Sequence, residues 1–88
     1  MKHLPNVKQK KDVHSHIQNG YEIINAYLPA TYLEKVKAKL PKNFASDDTI
    51  RNVRRAIQKP EAQIEVFTAI VEVAKENKAA IERLATIV

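Results

Sequence analysis

Thr49, Arg51, Asn52, Arg54 and Arg55 are the side chains of this sequence best suited to chemistry as a group. An arginine guanidinium is a planar fork that matches the O6/N7 pair of guanine. An asparagine amide can bridge N6/N7 of adenine, and spare arginines or lysines neutralise phosphates. If Ile50, Val53 and Ile57 form the inward face of a helix, then Asp48, Arg51, Asn52 and Arg55 fall near the centre of its outward face, with Thr49 and Arg54 at the two edges. Lys42 and Lys59, with the lysines of the preceding segment, are placed for flanking phosphate contacts. Asp47 and Asp48 count against a polyanion partner, although capping of a helix start explains at least one of them. A basic face of this kind also describes an ordinary solvated surface.

The charge balance of the chain favours the first reading. The 88 residues carry a net charge of +5, unevenly spread. Residues 1–20 hold four lysines against Asp12, and residues 21–60 hold eight basic against four acidic side chains. Residues 61–88 reverse the balance, with five glutamates against three basic residues. Segregation of this sort raises the expectation of a polyanion partner.

Other chemistries lack their residues. The absence of cysteine removes disulfides, thiolate nucleophiles and Cys-ligated zinc, and it fits a reducing cytoplasm. His14 and His16, with His3 upstream, have no carboxylate-rich set beside them, and no metal site is expected. Asp47-Asp48 lacks the spacing of a calcium loop. No phosphate-cradling glycine loop and no nucleophile motif occurs, so neither catalysis, a cofactor nor a small-molecule substrate is expected. No apolar run is long enough to span a bilayer, and the basic N-terminus is not followed by a signal-type apolar stretch. The expectation is a soluble cytoplasmic protein with no membrane partner.

The elements that would position these residues are helical. A single glycine argues against a β-rich fold. Residues 1–20 are polar and read as a flexible basic arm, and 21–88 as one domain. Tyr21–Leu28 is ambiguous between helix and extended chain, and Pro29 stops it. Thr31 and Glu34 form a capping-box pattern opening a helix over Tyr32–Leu40, which Pro41 ends. Residues 41–46 read as a loop whose Phe44 plugs the core. Ser46 or Asp47 caps a second helix over Asp47–Ala56. A third helix runs from Pro60 to Leu84, with Ile64, Phe67, Ile70, Val71 and Ala74 as its packing face. Phe67, Ile70, Ala74, Asn77, Ile81, Leu84 and Val88 also keep a heptad spacing. Asn77, Ile81, Leu84 and Val88 are therefore candidates for a homodimer seam, against the blander reading of a core face plus a frayed tail. The fold class expected is all-α: a compact helix-turn-helix domain of three to four helices, with a long C-terminal helix and the basic arm.

The run Leu28-Pro29, Tyr32, Val36, Leu40-Pro41, Ser46, Thr49-Ile50-Arg51-Asn52-Val53, Ile64, Ala69, Glu72-Val73-Ala74 and Glu76-Asn77-Lys78 resembles a family of small bacterial and mobile-element helix-turn-helix proteins. The match covers about residues 28–80. It implies sequence-specific binding of double-stranded DNA, with base contacts at Thr49, Arg51, Asn52 and Arg55. The sequence departs from the family in the connection between Leu40 and Asp47, which is longer than the usual tight turn and lacks its glycine. The alternative is a helical protein-interaction module, an accessory or inhibitor protein acting through the C-terminal helix.

Overall fold

The computed structural model describes residues 4–88, with side chains from Ser15 onward. Lys2, Lys8, Lys10, Lys11, His3 and His14, expected in a basic arm, have side chains outside the described residues. The described chain forms α1 (Leu4–Tyr27), α2 (Tyr32–Lys39), α3 (Asp47–Arg54) and α4 (Ile64–Ile87), with a 3₁₀ turn over Pro60–Gln63 leading into α4. No strand occurs among the described residues. The arrangement is all-α: α2 and α3 are consecutive helices, and both pack, with α1, against the long C-terminal α4.

The apolar face of α4 organises the domain. Val66, Phe67, Ala69, Ile70, Val73 and Ala74 recur at helical spacing and are all buried. Against them lie Ile17 and Ile24 of α1, Val36 of α2, and Ile50 and Val53 of α3. Burying a single isoleucine or valine is worth about 1.5–3 kcal/mol, so this one contiguous cluster is the main favourable contribution to folding.

The ambiguity of Tyr21–Leu28 is resolved as helix, since residues 21–27 are the last turns of α1. Other sequence expectations are corrected. The expected boundary at Gly20 falls inside that helix, with Ile17 and Gly20 buried. Ile64 is 44% exposed and Val66 takes the core position, because the chain enters α4 through a tighter 3₁₀ turn that resets the phase of the face. Phe44 is also 44% exposed. Its N–H donates to the Pro41 carbonyl at 3.0 Å, closing a turn that faces outward and leaves Leu40 and Ala45 to pack on the core. Asn43 at φ 61° takes the role of the missing glycine in that turn. Thr31 makes no capping bond, since its backbone (φ −93°, ψ 30°) is not in the extended region a capping residue adopts.

Gly20 shows how α1 and α4 approach. A Cβ at this position would lie 2.6 Å from Phe67 Cζ and 3.0 Å from Val71 Cγ2. Farther along, the Asn77 amide donates to the Tyr27 carbonyl at 2.7 Å, so the two helices run in the same direction. That bond satisfies one of the carbonyls orphaned at the end of α1. Gly20→Ala sets a helix-propensity gain of about 1 kcal/mol against an overpacking cost of roughly 1–3 kcal/mol. The contact distance makes the second effect dominate. Thermal unfolding of Gly20→Ala is therefore expected at a lower Tm than that of the parent chain.

Candidate nucleic-acid interface

The helix α3 is held by both ends and by its middle. At its start Ser46 Oγ accepts from the Thr49 N–H at 3.2 Å, as an N-cap should. The Thr49 hydroxyl lies 3.0 Å from the same oxygen. In its middle, Ile50 and Val53 are fully buried. Its end is a Schellman motif: the Ile57 N–H donates to the Asn52 carbonyl at 2.8 Å and the Ala56 N–H to the Val53 carbonyl at 3.1 Å. The motif needs a left-handed residue after the cap, and Ala56 supplies it at φ 62°. The helix thus ends at Arg54 rather than at Ala56. Ile57, expected on the inward face, is 67% exposed because the reversal carries it away from the core.

The second anchor is Tyr21. Its hydroxyl donates to the Val53 carbonyl at 2.7 Å, and its ring meets that of Phe67 at 4.9 Å between centroids, tilted by 55°. Burial, then the nearby Glu61 charge, raises the Tyr21 pKa, against a smaller opposing effect of Arg54.

The basic side chains separate by partner. Arg54 is half-buried and donates to Asn25 Oδ1 of α1 at 3.1 Å. It therefore braces α1 against α3, a role for which the sequence carried no signal, since Asn25 lies far upstream. Arg51 is exposed and sits 3.3 Å from Asp48 Oδ1. Arg55 is exposed and caps the helix with its backbone. Asn52 is half-buried, Thr49 likewise, and Lys42 and Lys59 are exposed in the connections flanking α3. Among the described residues, Arg55, Lys42 and Lys59 have no side-chain hydrogen bond or ion pair.

The acidic residues that counted against a polyanion are matched. Asp47 Oδ1 accepts from Lys37 Nζ at 2.8 Å, and that bond holds its carboxyl below the usual range. The pair joins the last turn of α2 to the first turn of α3. Lys37, expected to contact phosphate, is thus tied to Asp47, and Lys39 is tied to Glu76 of α4. Lys35 stays exposed. Among the described residues no three His, Asp or Glu side chains gather around a point that could hold a metal ion, and no helix is long and apolar enough to cross a membrane.

No family model, curated protein or solved structure matches this chain.

Ala56 is exposed, so Ala56→Gly removes the left-handed strain at little cost in burial and should stabilise the protein by about 1 kcal/mol in denaturant unfolding. Tyr21→Phe should cost about 0.5–1.5 kcal/mol, the worth of one hydrogen bond. The Tyr21 pKa is raised by folding, so its stabilisation is complete below the ordinary tyrosine value and is lost as pH rises through the folded one. Unfolding free energy should therefore fall above about pH 10 in the parent chain, and Tyr21→Phe should flatten that fall.

Proposed function

We propose that this protein binds double-stranded DNA sequence-selectively, as a small cytoplasmic transcriptional regulator or mobile-element DNA-binding protein, with α3 lying in the major groove. The observation that carries the reading is the sorting of charge around α3. Asp47 is matched by Lys37 and Asp48 by Arg51, while Arg55 and Asn52 keep an outward face beside that pair, flanked by exposed Lys42 and Lys59. A short helix fixed at both ends that presents the Arg55 guanidinium and the Asn52 amide, with the Arg51 guanidinium shared with Asp48, suits base-edge recognition. The resemblance of residues 28–80 to small helix-turn-helix proteins supports the same reading. Arg54, bonded to Asn25, is assigned to bracing and to a phosphate at the rim rather than to a base.

A second reading has one observation in its favour. The end of α4 exposes Ile81, Leu84 and Ile87, a surface that an accessory or inhibitor module could use on another protein.

Selection from a random duplex library, followed by titration, separates the two. Arg55→Ala and Asn52→Ala should each weaken binding to the enriched duplex by about 1–3 kcal/mol with no change in Tm. Lys42→Ala and Lys59→Ala should weaken all duplexes alike and lower the salt slope by about one each. Absence of affinity for any duplex at about 50 mM salt, where phosphate contacts are strong, would contradict the proposal.

A further inference from the structure

At the start of α3, two other residues already do what Asp48 would ordinarily be there to do. Ser46 is the cap, its Oγ accepting from the Thr49 N–H at 3.2 Å. Asp47 puts a negative charge in the first turn, where the helix dipole favours it, and ties that turn to Lys37 of α2 at 2.8 Å. Asp48 makes neither contact. Its side chain is 88% exposed, and among the described residues its ion pair is with Arg51, Nη1 to Oδ1 at 3.3 Å. An exposed pair three residues apart on a helix adds little stability. On a face that meets a polyanion, a second carboxylate costs affinity. What the pair does fix is a direction. Arg55, farther along the same outward face, has no side-chain hydrogen bond or ion pair among the described residues, so the two arginines differ: one is tethered and one is free. A guanidinium carries five N–H donors in one plane. With one Nη1 hydrogen turned to Asp48, the Nε–Nη2 edge of Arg51 stays open as a two-donor fork.

We propose that Asp48 is a positioning residue for DNA selectivity: it holds the Arg51 guanidinium so that the free Nε–Nη2 edge meets O6 and N7 of a guanine. The inference rests on the DNA reading above and adds to it the base that Arg51 selects. Opposite a guanine, the guanidinium is shared between the carboxylate and the base edge, and little side-chain freedom is lost on binding because the tether has already removed it. Opposite any other base, the fork has no matching pair of acceptors. Arg51 then stays with Asp48 instead of swinging to a phosphate, and the carboxylate keeps its repulsion toward the backbone. Selectivity is a difference of affinities, and a group that weakens the wrong complexes raises it as surely as one that strengthens the right complex. Asp48 therefore lowers affinity for duplex DNA in general while it sharpens the choice among duplexes.

The test compares binding of the full chain to the duplex enriched by selection and to a random duplex of equal length at the same salt. Asp48→Asn keeps the size of the side chain and removes its charge, and Ser46 and Asp47 still hold the helix start, so its Tm should stay close to that of the parent. It should bind the random duplex more tightly and the enriched duplex no more tightly. The ratio of the two affinities should fall by about tenfold, within the range of one lost bidentate base contact. Asp48→Glu, which keeps the charge, should retain most of the ratio. In an Arg51→Ala background, Asp48→Asn should leave the ratio unchanged, because the tether then has nothing to hold. A carboxylate that merely repels phosphate would, once removed, tighten both duplexes equally, and an unchanged ratio in the parent background overturns the proposal. A ratio that falls equally with and without Arg51 overturns it as well, since Asp48 would then act on the base itself. A parent chain that binds no duplex removes the DNA reading and the role of Asp48 together. A selective parent whose Asp48→Asn variant is equally selective removes the role of Asp48 alone.

Discussion

One side chain, Tyr21, joins three helices. It belongs to α1, its hydroxyl holds the Val53 carbonyl of α3, and its ring rests on Phe67 of α4. Eight residues are too few for a helix that is stable by itself in water, so α3 exists because Ser46 caps it, Ile50 and Val53 are buried, and Tyr21 holds the Val53 carbonyl. The direction in which Arg51, Asn52 and Arg55 project follows from those anchors.

The same constraint explains Gly20. Tyr21 can reach Val53 only if α1 lies close to α4, and the next residue back has no side chain where Phe67 and Val71 press in. A glycine in mid-helix loses propensity. Here the loss is offset by the approach of two helices along which Ile17, Ile24 and the face of α4 are buried. The Lys37–Asp47 and Lys39–Glu76 pairs then hold α2 against its neighbours at the surface, where they add orientation more than stability.

How far the sequence could be read depended on whether local forces decided the outcome. Val36, Ile50 and Val53 follow helical spacing and lie in the core, and the Ser46 cap stands where a serine before two aspartates should put it. The failures have non-local or geometric causes. Tyr21–Leu28 is ambiguous in the sequence because the segment mixes helical spacing with aromatic and β-branched residues, and Asn19-Gly20 reads locally as a break. Ile57 and Ile64 were misplaced because a left-handed alanine and a 3₁₀ turn, neither of which leaves a pattern in the sequence, change the phase of the apolar face on either side of Pro60. In the candidate site the outward position of Arg51, Asn52 and Arg55 was legible from the wheel of the helix. The use of Arg54 on Asn25 and of Asn77 on Tyr27 was not, because both partners lie far away in the chain.

On the proposed reading the outward face of α3 is the working surface. Backbone amide shifts of the labelled protein, followed as a random duplex is added, test this residue by residue. The largest changes should fall on Arg51, Asn52 and Arg55 and extend to Lys42 and Lys59, while buried Val73 moves little. Changes concentrated on Ile81–Ile87 with α3 silent would contradict it.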